Sequence, residues 1–211
     1  MNDYFKEDNY WKKHIKDVLE DDLWIINYKK FLPLNASLLD LGCGRGNYTK
    51  YFKALGYEVT SADISDIALE EVKKINKNVI KIDMRKTLPF ENESFDIVFA
   101  NLSIHYFDDE TTKKLINEIK RILTKGGIFM GSVNSFEAYD FIKDHAKELS
   151  YHFYLSNDMN IRLFDEEDIN NYLKEFSLLA CKEEVTMRFG KQKNYIIFIA
   201  KKTKWKQIYI K

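Results

Sequence analysis

The sequence predicts an α/β fold with a doubly wound, largely parallel sheet, and three observations lead to this prediction. Short apolar segments alternate with helical segments from residue 37 to residue 133. The predicted strands are almost continuously apolar, which is typical of strands buried on both faces. Two further strands follow near the end of the chain with only a short turn between them, so they must run antiparallel. This order predicts seven strands, an antiparallel last strand and helices on both faces of the sheet.

The predicted elements follow one another at regular intervals. The predicted strands are 37–41, 57–62, 79–82, 95–100, 128–133, 177–188 and 194–201. The predicted helices between the first five strands are 47–55, 66–75 and 111–123. The last of these is the clearest helix, because Leu115, Ile119 and Ile122 fall on one face and charged residues on the other. Asp108 or Asp109 can cap its start.

Three segments lie outside this alternation. Apolar residues recur at helical spacing over 8–31 and predict a helix, so we expect an N-terminal helical cap over 1–34. We expect a single main domain over 35–203. Within it, residues 135–150 are predicted to be helical, and the aromatic segment 135–176 is expected to form a small cap on the substrate side.

The basic tail over 204–211 is interpreted as a frayed, solvated end, with a nucleic-acid or membrane contact as the alternative.

Composition narrows the possible functions. The 211 residues suffice for one well-packed domain, and 33 basic against 33 acidic residues give no sign of a nucleic-acid partner. Cys43 and Cys181 are too far apart for a zinc motif, and two cysteines make no disulfide framework. The chain shows neither a signal-peptide profile nor an apolar run long enough for a bilayer. We expect a cytoplasmic protein with no nucleic-acid or membrane partner, as a monomer or homodimer.

A glycine-rich turn, LLDLGCGRGNY, follows the first predicted strand. Gly42 and Gly44 can adopt positive φ and let a ligand approach the backbone, and the next helix offers free N–H groups. Ligands of doubly wound sheets bind at the carboxyl ends of the strands, where this turn lies. The turn therefore predicts a ligand site, and a tight turn without a ligand is the alternative.

The order of residues in this turn argues against a dinucleotide. The nicotinamide-binding pattern G-x-G-x-x-G needs a third glycine where Asn47 stands, because Gly46 comes one residue early. Asp40 precedes the turn, and its carboxylate would repel a pyrophosphate. We therefore expect a ligand that has no diphosphate and that carries a positive charge.

Two more carboxylates end the second and third predicted strands. Asp63 can accept hydrogen bonds from both ribose hydroxyls, or it can cap the next helix. Asp83 can accept from an adenine amino group while the Met84 N–H faces a ring nitrogen, or it can be an ordinary loop residue. Three carboxylates at the ends of successive strands favour the ligand-binding interpretation.

These segments together resemble class I S-adenosylmethionine-dependent methyltransferases, which have a Rossmann-like sheet. The resemblance lies in LLDLGCGRG, VTSADIS, VIKIDMRKTLPFENESFDIVFANLSIHYF and RILTKGGIFMGSV, in that order, and covers about residues 35–201. It is nearest to the small-molecule branch, because no additional recognition domain is present. The cofactor-contacting residues that this resemblance implies are Asp40, Gly42, Cys43, Gly44, Asp63, Ile64, Asp83, Met84 and Asn101. In such enzymes Asp40 would help to position the methionine ammonium, Asp63 would hold the ribose, and Asp83 would face the adenine.

The implied reaction is methyl transfer to a small molecule by direct displacement, with S-adenosylhomocysteine as the product. Alignment of the acceptor can supply roughly 7–11 kcal/mol, so a general base is optional. His105 is the candidate base, with pocket lining or structural hydrogen bonding as alternatives. Tyr10, Trp11 and Tyr106 are candidate substrate contacts, with ordinary packing as the alternative.

Arg162 is predicted to lie at the surface, with pairing to an acidic substrate as the alternative. The four histidines show no metal-binding spacing. Two other functions remain open. One is a non-catalytic S-adenosylmethionine-binding module. The other is a nucleotide-dependent oxidoreductase, although the chain lacks the Tyr-x-x-x-Lys pair typical of many such enzymes.

Overall fold

The computed structural model describes residues 8, 9, 12, 23–188 and 191–203. Its main feature is a seven-stranded sheet with the order β3-β2-β1-β4-β5-β10-β9. These strands are β1 (Ser37–Leu41), β2 (Glu58–Asp63), β3 (Val79–Lys81), β4 (Phe95–Asn101), β5 (Leu123–Asn134), β9 (Phe176–Arg188) and β10 (Lys191–Lys202). The first five strands are parallel, whereas β10 runs antiparallel to both of its neighbours. The predicted fold class is confirmed.

Within residues 23–203, as far as the structure describes them, four α-helices and two 3₁₀-helices accompany the strands. The α-helices are α1 (Asn47–Ala54), α2 (Asp66–Lys73), α3 (Asp109–Ile122) and α4 (Glu166–Tyr172), and the 3₁₀-helices are Trp24–Phe31 and Phe136–Phe141. Helix α3 buries the apolar face predicted from its sequence. Asp108 caps it by accepting the Thr111 N–H at 2.8 Å, which satisfies one of the free donors of the first turn.

The sheet has an apolar core on each face. Along β4, Ile97 and Phe99 belong to one buried cluster, and Val98 and Ala100 belong to the other. Successive residues of a strand point to opposite faces, so a continuously apolar strand serves both layers. This arrangement explains why the central strands carry so few polar residues.

The strand order reverses at β1, which pairs with β2 on one side and β4 on the other. The chain runs from β1 to β2 on one side and returns from β3 to β4 on the other side, and this reversal opens a crevice at the carboxyl ends of β1 and β4. The glycine-rich turn after β1 lies at this crevice.

The helix predicted over 135–150 is wrong. A 3₁₀-helix over Phe136–Phe141 is followed by a separate antiparallel sheet of β6 (Ala146–Ser150), β7 (Phe153–Ser156) and β8 (Met159–Arg162). Asn157 and Asp158 both have positive φ, as required in a two-residue hairpin turn between β7 and β8. This three-stranded sheet, β6–β8, is called the cap sheet below.

The N-terminal helix predicted over 8–31 is described only in part. Asp8, Asn9 and Lys12 are helical, and Trp24–Phe31 forms a 3₁₀-helix. Trp24 stacks on Phe99 of β4 with 5.6 Å between ring centroids, so this part of the segment packs on the central sheet. The tail over 204–211 lies outside the described residues. Among the described residues, no helix is both long enough and apolar enough to cross a membrane.

Candidate cofactor and acceptor site

The turn between β1 and α1 is held in a conformation that favours glycine. Gly42, Gly44 and Gly46 all have positive φ, at 77°, 51° and 83°. A Cβ built on Gly42 would lie only 2.3 Å from the Cβ of Ser103. The space that Gly42 leaves open is therefore filled by Ser103, from the segment after β4, and the turn is packed tightly against that segment.

Asp63, at the end of β2, holds this turn through backbone hydrogen bonds. Its Oδ2 accepts the Gly44 N–H at 2.8 Å, and its Oδ1 accepts the Ser65 N–H at 2.9 Å. The alternative that Asp63 caps the next helix is wrong, because Ser65 is the N-cap of α2 and accepts the Ala68 N–H. Burial raises the pKa of Asp63, and these backbone donors oppose the increase.

Asp40 is also buried, at 2% exposed, beneath the same turn. Its Oδ2 accepts the Thr49 hydroxyl at 2.6 Å, and the Thr49 Oγ1 lies 2.9 Å from the Ser61 Oγ. Burial raises the pKa of Asp40 to about 7, with a further increase from the charge of Asp63 and a partial decrease from the Thr49 hydrogen bond. A carboxyl with this pKa changes its charge near neutral pH.

Neither Asp40 nor Asp63 forms an ion pair with a basic side chain in the part of the chain that the structure describes. Asp8 adds negative charge, since its carboxylate accepts the Ser65 hydroxyl at 2.5 Å and contributes to raising the pKa of Asp63. Buried carboxylates without a cation are unfavourable when ionised. The site therefore suits a positively charged ligand.

Two further predicted cofactor contacts, Cys43 and Ile64, lie near these carboxylates in the chain. Cys43 is buried, and desolvation together with the charges of Asp40 and Asp63 raises its thiol pKa well above the usual value. The thiol therefore stays protonated and is not a nucleophile. Ile64 is half-buried directly after Asp63, where an apolar side chain can contact a ring.

Asp83 and Met84 follow β3, the strand next to β2. Both carboxylate oxygens of Asp83 accept from the Arg85 guanidinium, Oδ1 from Nε at 2.8 Å and Oδ2 from Nη2 at 3.0 Å. Sequence reasoning missed Arg85, for which the only available signal was its spacing of two residues from Asp83. The Met84 Cε lies 3.2 Å from where a Cβ of Gly42 would stand, so the segment after β3 contacts the glycine turn.

Asn101, at the end of β4, has its side chain occupied within the protein. Its Oδ1 accepts from the Trp24 indole at 2.8 Å and from the Ser132 hydroxyl at 2.6 Å. The next residue, Leu102, has a positive φ of 49°, which is uncommon for a branched side chain. These contacts agree with a role for Asn101 through its backbone, while that role itself stays a prediction.

The segment after β4 carries the candidate base. His105 is 3% exposed and lies beside Tyr106, with 4.3 Å between the ring centroids. Tyr106 is half-buried. The predicted substrate contacts Tyr10 and Trp11 lie outside the described residues.

Arg162 is not at the surface as predicted, because it is 2% exposed at the end of β8. Its Nε donates to the Phe107 carbonyl at 3.2 Å and its Nη1 to the Tyr151 carbonyl at 3.3 Å. Sequence reasoning failed here because the strand that turns this side chain inward was not recognised.

One cluster of possible metal ligands lies in the described part of the chain, formed by His152, Asp165 and Asp168. Asp165 and Asp168 form the capping box of α4, and the Asp168 Oδ2 lies 2.8 Å from the His152 Nδ1. The cluster thus already serves as a helix cap, and its contacts need no ion to explain them.

Comparison with known proteins supports the family prediction. Residues 39–131 match a family described as a methyltransferase domain. A malonyl-[acyl-carrier protein] O-methyltransferase from Buchnera aphidicola is 31% identical over 153 residues, covering 68% of this chain and 60% of that protein. A ribosomal protein L11 methyltransferase from Aquifex aeolicus is 35% identical over 106 residues, covering 49% and 41%.

A third relative has a different activity in its name. The human mitochondrial arginine-hydroxylase NDUFAF5 is 30% identical over 129 residues, covering 59% of this chain and 35% of that protein. The chain spans between about a third and three fifths of the length of these three relatives.

Solved structures share the fold. An S-adenosylmethionine-dependent methyltransferase from Methanosarcina mazei has a TM-score of 0.76 at 19% identity, covering 86% of this chain and 99% of that one. A Burkholderia thailandensis 1,6-didemethyltoxoflavin-N1-methyltransferase, solved with 1,6-didemethyltoxoflavin and S-adenosylhomocysteine, has a TM-score of 0.68 at 19% identity, covering 96% and 84%. The methyltransferase domain matched over residues 39–131 and the shared fold both agree with the class I S-adenosylmethionine-dependent methyltransferases that the sequence motifs resemble.

Proposed function

We propose that this protein transfers a methyl group from S-adenosylmethionine to a small-molecule acceptor by direct displacement. The observation that carries the proposal is the pair of buried carboxylates, Asp40 and Asp63, at the glycine turn without a basic partner among the described residues. S-adenosylmethionine fits such a site, because it carries a sulfonium and an ammonium and has no phosphate. When bound, it supplies a methyl group that is already activated for transfer.

The residues of the turn would hold the cofactor in the following way. Asp63 would accept the ribose hydroxyls with lone pairs not used by the Gly44 and Ser65 N–H groups. Asp40 would stabilise the ammonium, directly or through Thr49. Ile64, Asp83 and Met84 follow β2 and β3, where they would contact the adenine. Gly42 and Cys43 would border the methionine part, as would the backbone of Asn101.

His105 and Tyr106 would border the acceptor. In a direct displacement the protein mainly places the acceptor atom in line with the methyl carbon, about 3–3.5 Å away. The burial of His105 favours pocket lining over general-base catalysis, because its ring has little contact with solvent to which a proton could be passed. An oxygen acceptor, or a nitrogen acceptor that carries a proton, would still lose that proton, and His105 is the candidate on this segment to receive it.

A small-molecule acceptor is supported by the small-molecule methyltransferase among the structural neighbours. Other relatives act on carrier-bound or ribosomal substrates according to their names. A non-catalytic cofactor-binding module is the second candidate, because alignment catalysis leaves no obligatory side chain to look for. The relative named as a hydroxylase shows that related chains can differ in activity. The cytoplasmic location and the monomeric or dimeric state stay predictions.

The experiment is an acceptor panel with the purified full chain. Small thiols, carboxylic acids, phenols and amines are incubated with S-adenosylmethionine carrying a deuterated methyl group, and products are read by mass spectrometry. Acyl carrier protein and ribosomal protein L11 serve as macromolecular comparisons. Labelled small molecules would support the proposal. Label only on the macromolecules would contradict the small-molecule acceptor, and cofactor binding without any labelled product would favour the binding module.

A further inference from the structure

Arg162 connects the cap sheet to the segment after β4. Its backbone N–H donates to the His105 carbonyl at 2.7 Å, and its guanidinium donates to the carbonyls of Phe107 and Tyr151. The first two acceptors lie on either side of Tyr106. Two of these three hydrogen bonds thus hold the part of the chain that carries the candidate acceptor contacts, and the third ties the guanidinium to the cap sheet.

Among the described residues, the guanidinium of Arg162 is buried without a directly paired carboxylate, although its charge helps to lower the pKa values of Asp108 and Asp109. Within the part of the chain that the structure describes, its Nη2 has no hydrogen-bond acceptor and no carboxylate forms an ion pair with it. The guanidinium carbon instead lies 5.2 Å and 6.0 Å from the ring centroids of Phe153 and Tyr172. Burying a charge without a paired carboxylate costs free energy. Stability alone therefore gives a poor account of an arginine at this position.

The segment held by Arg162, residues 102–107, is fixed at its other end to the glycine turn. The Ser103 hydroxyl donates to the Leu41 carbonyl at 2.7 Å, and Leu102 keeps its strained positive φ. Backbone strain of this kind persists only where the surrounding contacts hold it. His105 and Tyr106 thus lie between an anchor on the cofactor side and an anchor on the cap sheet.

We propose that Arg162 is a positioning residue for methyl transfer, which holds residues 102–107 so that His105 and Tyr106 border the acceptor in the correct place. This inference rests on the proposed function. Loss of these contacts would let the segment move relative to the glycine turn, and small misplacements are costly when alignment is the main source of catalysis. The planar guanidinium can direct donors at two carbonyls at once, whereas a lysine ammonium is a single, mobile donor group.

The test compares Arg162→Lys and Arg162→Met with a matched control, Lys202→Met. Lys202 is also a buried cation that donates to a backbone carbonyl, that of Leu123 at 2.6 Å, but Leu123 begins β5 at the opposite end of the sheet. Three measurements are made on the full chain: amide hydrogen exchange of residues 101–108, S-adenosylhomocysteine affinity by calorimetry, and kcat and KM. The kinetic probe is the acceptor from the panel that the wild type methylates fastest.

Both Arg162 variants are expected to increase amide exchange over 102–107 by about tenfold or more. Their kcat/KM for the acceptor should fall by about tenfold or more, while the S-adenosylhomocysteine affinity changes by less than about threefold. Lys202→Met should lower thermal stability without these local effects. The lysine variant keeps the positive charge. If it shows the same changes in amide exchange and kcat/KM as the methionine variant, the lost guanidinium hydrogen bonds, and not the lost charge, cause those changes.

The proposal is overturned if both Arg162 variants match Lys202→Met in local exchange and in kcat/KM. It is also overturned if the cofactor affinity falls as much as turnover, since the residue would then act on the whole site. If the wild type methylates nothing in the panel, the proposed function fails, and unchanged exchange over 102–107 would by itself still reject the positioning role.

Discussion

The Asp63 carboxylate accepts the backbone N–H of Gly44 at 2.8 Å, and this hydrogen bond joins the end of β2 to the turn after β1. The bond is buried and has a charged acceptor when Asp63 is ionised, so it is stronger than an ordinary backbone hydrogen bond. The shape of the glycine turn therefore depends on a carboxylate from the neighbouring strand. The same carboxylate is the one expected to hold the ribose, which couples turn geometry to cofactor affinity.

Asp63→Ala is expected to weaken S-adenosylmethionine binding by about tenfold or more, because each hydrogen bond to a charged group contributes about 1.5–3 kcal/mol. Isothermal titration calorimetry measures the change. Asp66→Ala is the control, since Asp66 is an exposed carboxylate three residues away that pairs with Lys81. Equal affinities for both variants would remove the ribose assignment.

Gly42→Ala tests the packing of the turn separately from its backbone conformation. The added Cβ would clash with the Ser103 side chain, and φ at residue 42 is 77°. Gly56 has a similar φ of 85°, but a Cβ there would meet no atom within 4 Å. Gly56→Ala is therefore expected to cost about 1–2 kcal/mol of unfolding free energy, from its backbone conformation alone.

Gly42→Ala should cost clearly more than this and should also abolish detectable cofactor binding. Chemical denaturation and calorimetry give the two quantities. If the two alanine variants lost equal stability and both bound the cofactor, the tight contact between the turn and Ser103 would not matter for the site.

The pKa of Asp40, raised to about 7, predicts a pH dependence of cofactor binding. A cation binds better when Asp40 is ionised, so the affinity for S-adenosylmethionine should increase from about pH 6 to about pH 7.5. Asp40→Asn should remove the part of this pH dependence that comes from Asp40. The part that comes from ionisation of the ligand is the same for both proteins, so the difference between their affinities reports on Asp40 alone. If the S-adenosylmethionine affinity of both proteins depended on pH in the same way, the charge of Asp40 would not contribute to binding.

The same group affects the stability of the cofactor-free protein in the opposite direction. Its folded pKa of about 7 lies above the ordinary unfolded value of about 3.9, so the folded state binds more protons between these values. The contribution of Asp40 to stability is therefore greatest at low pH, declines as the pH rises from about 4 to about 7, and is constant above that. Denaturation at several pH values, compared with Asp40→Asn, measures it. A stability difference between the two proteins that grows with pH in favour of the wild type would contradict this sign.

His105→Asn is expected to lower acceptor turnover while leaving the S-adenosylmethionine affinity nearly unchanged, because His105 is proposed to border the acceptor rather than the cofactor. A loss of about 10²-fold or more, with a changed pH profile of kcat, would identify a general base. A smaller loss with an unchanged profile would identify pocket lining. Loss of cofactor affinity equal to the loss of turnover would place His105 in the cofactor site and contradict the assignment.

The central part of the fold and of the site could be predicted because local sequence sets where strands end. Asp40 stands one residue before the end of its predicted strand, and Asp63 and Asp83 stand directly after theirs. The structure places these three strands side by side as β1, β2 and β3. Neighbouring parallel strands have their carboxyl ends at the same edge of the sheet. Residues that are about 20 positions apart in the sequence but lie at strand ends are therefore brought to the same edge. The roles of these carboxylates stay predictions.

The cap sheet could not be predicted in the same way. The turn residues Asn157 and Asp158 were visible, but β6 and β8 alternate weakly between buried and exposed positions and carry little strand signal. Without the hairpin, the inward position of Arg162 could not be recognised. The pairing of Asp83 with Arg85 was missed for a related reason, because a side-chain contact two residues apart in a loop depends on loop geometry rather than on periodicity.

The most direct test of the account is a calorimetric titration of the purified chain with S-adenosylmethionine, with S-adenosylhomocysteine and with NAD. We expect the first two to bind with micromolar affinity and NAD not to bind, because the two buried carboxylates favour a cation and repel a pyrophosphate. Binding of NAD, or no binding of either S-adenosyl compound, would contradict the cofactor assignment on which the proposed function rests.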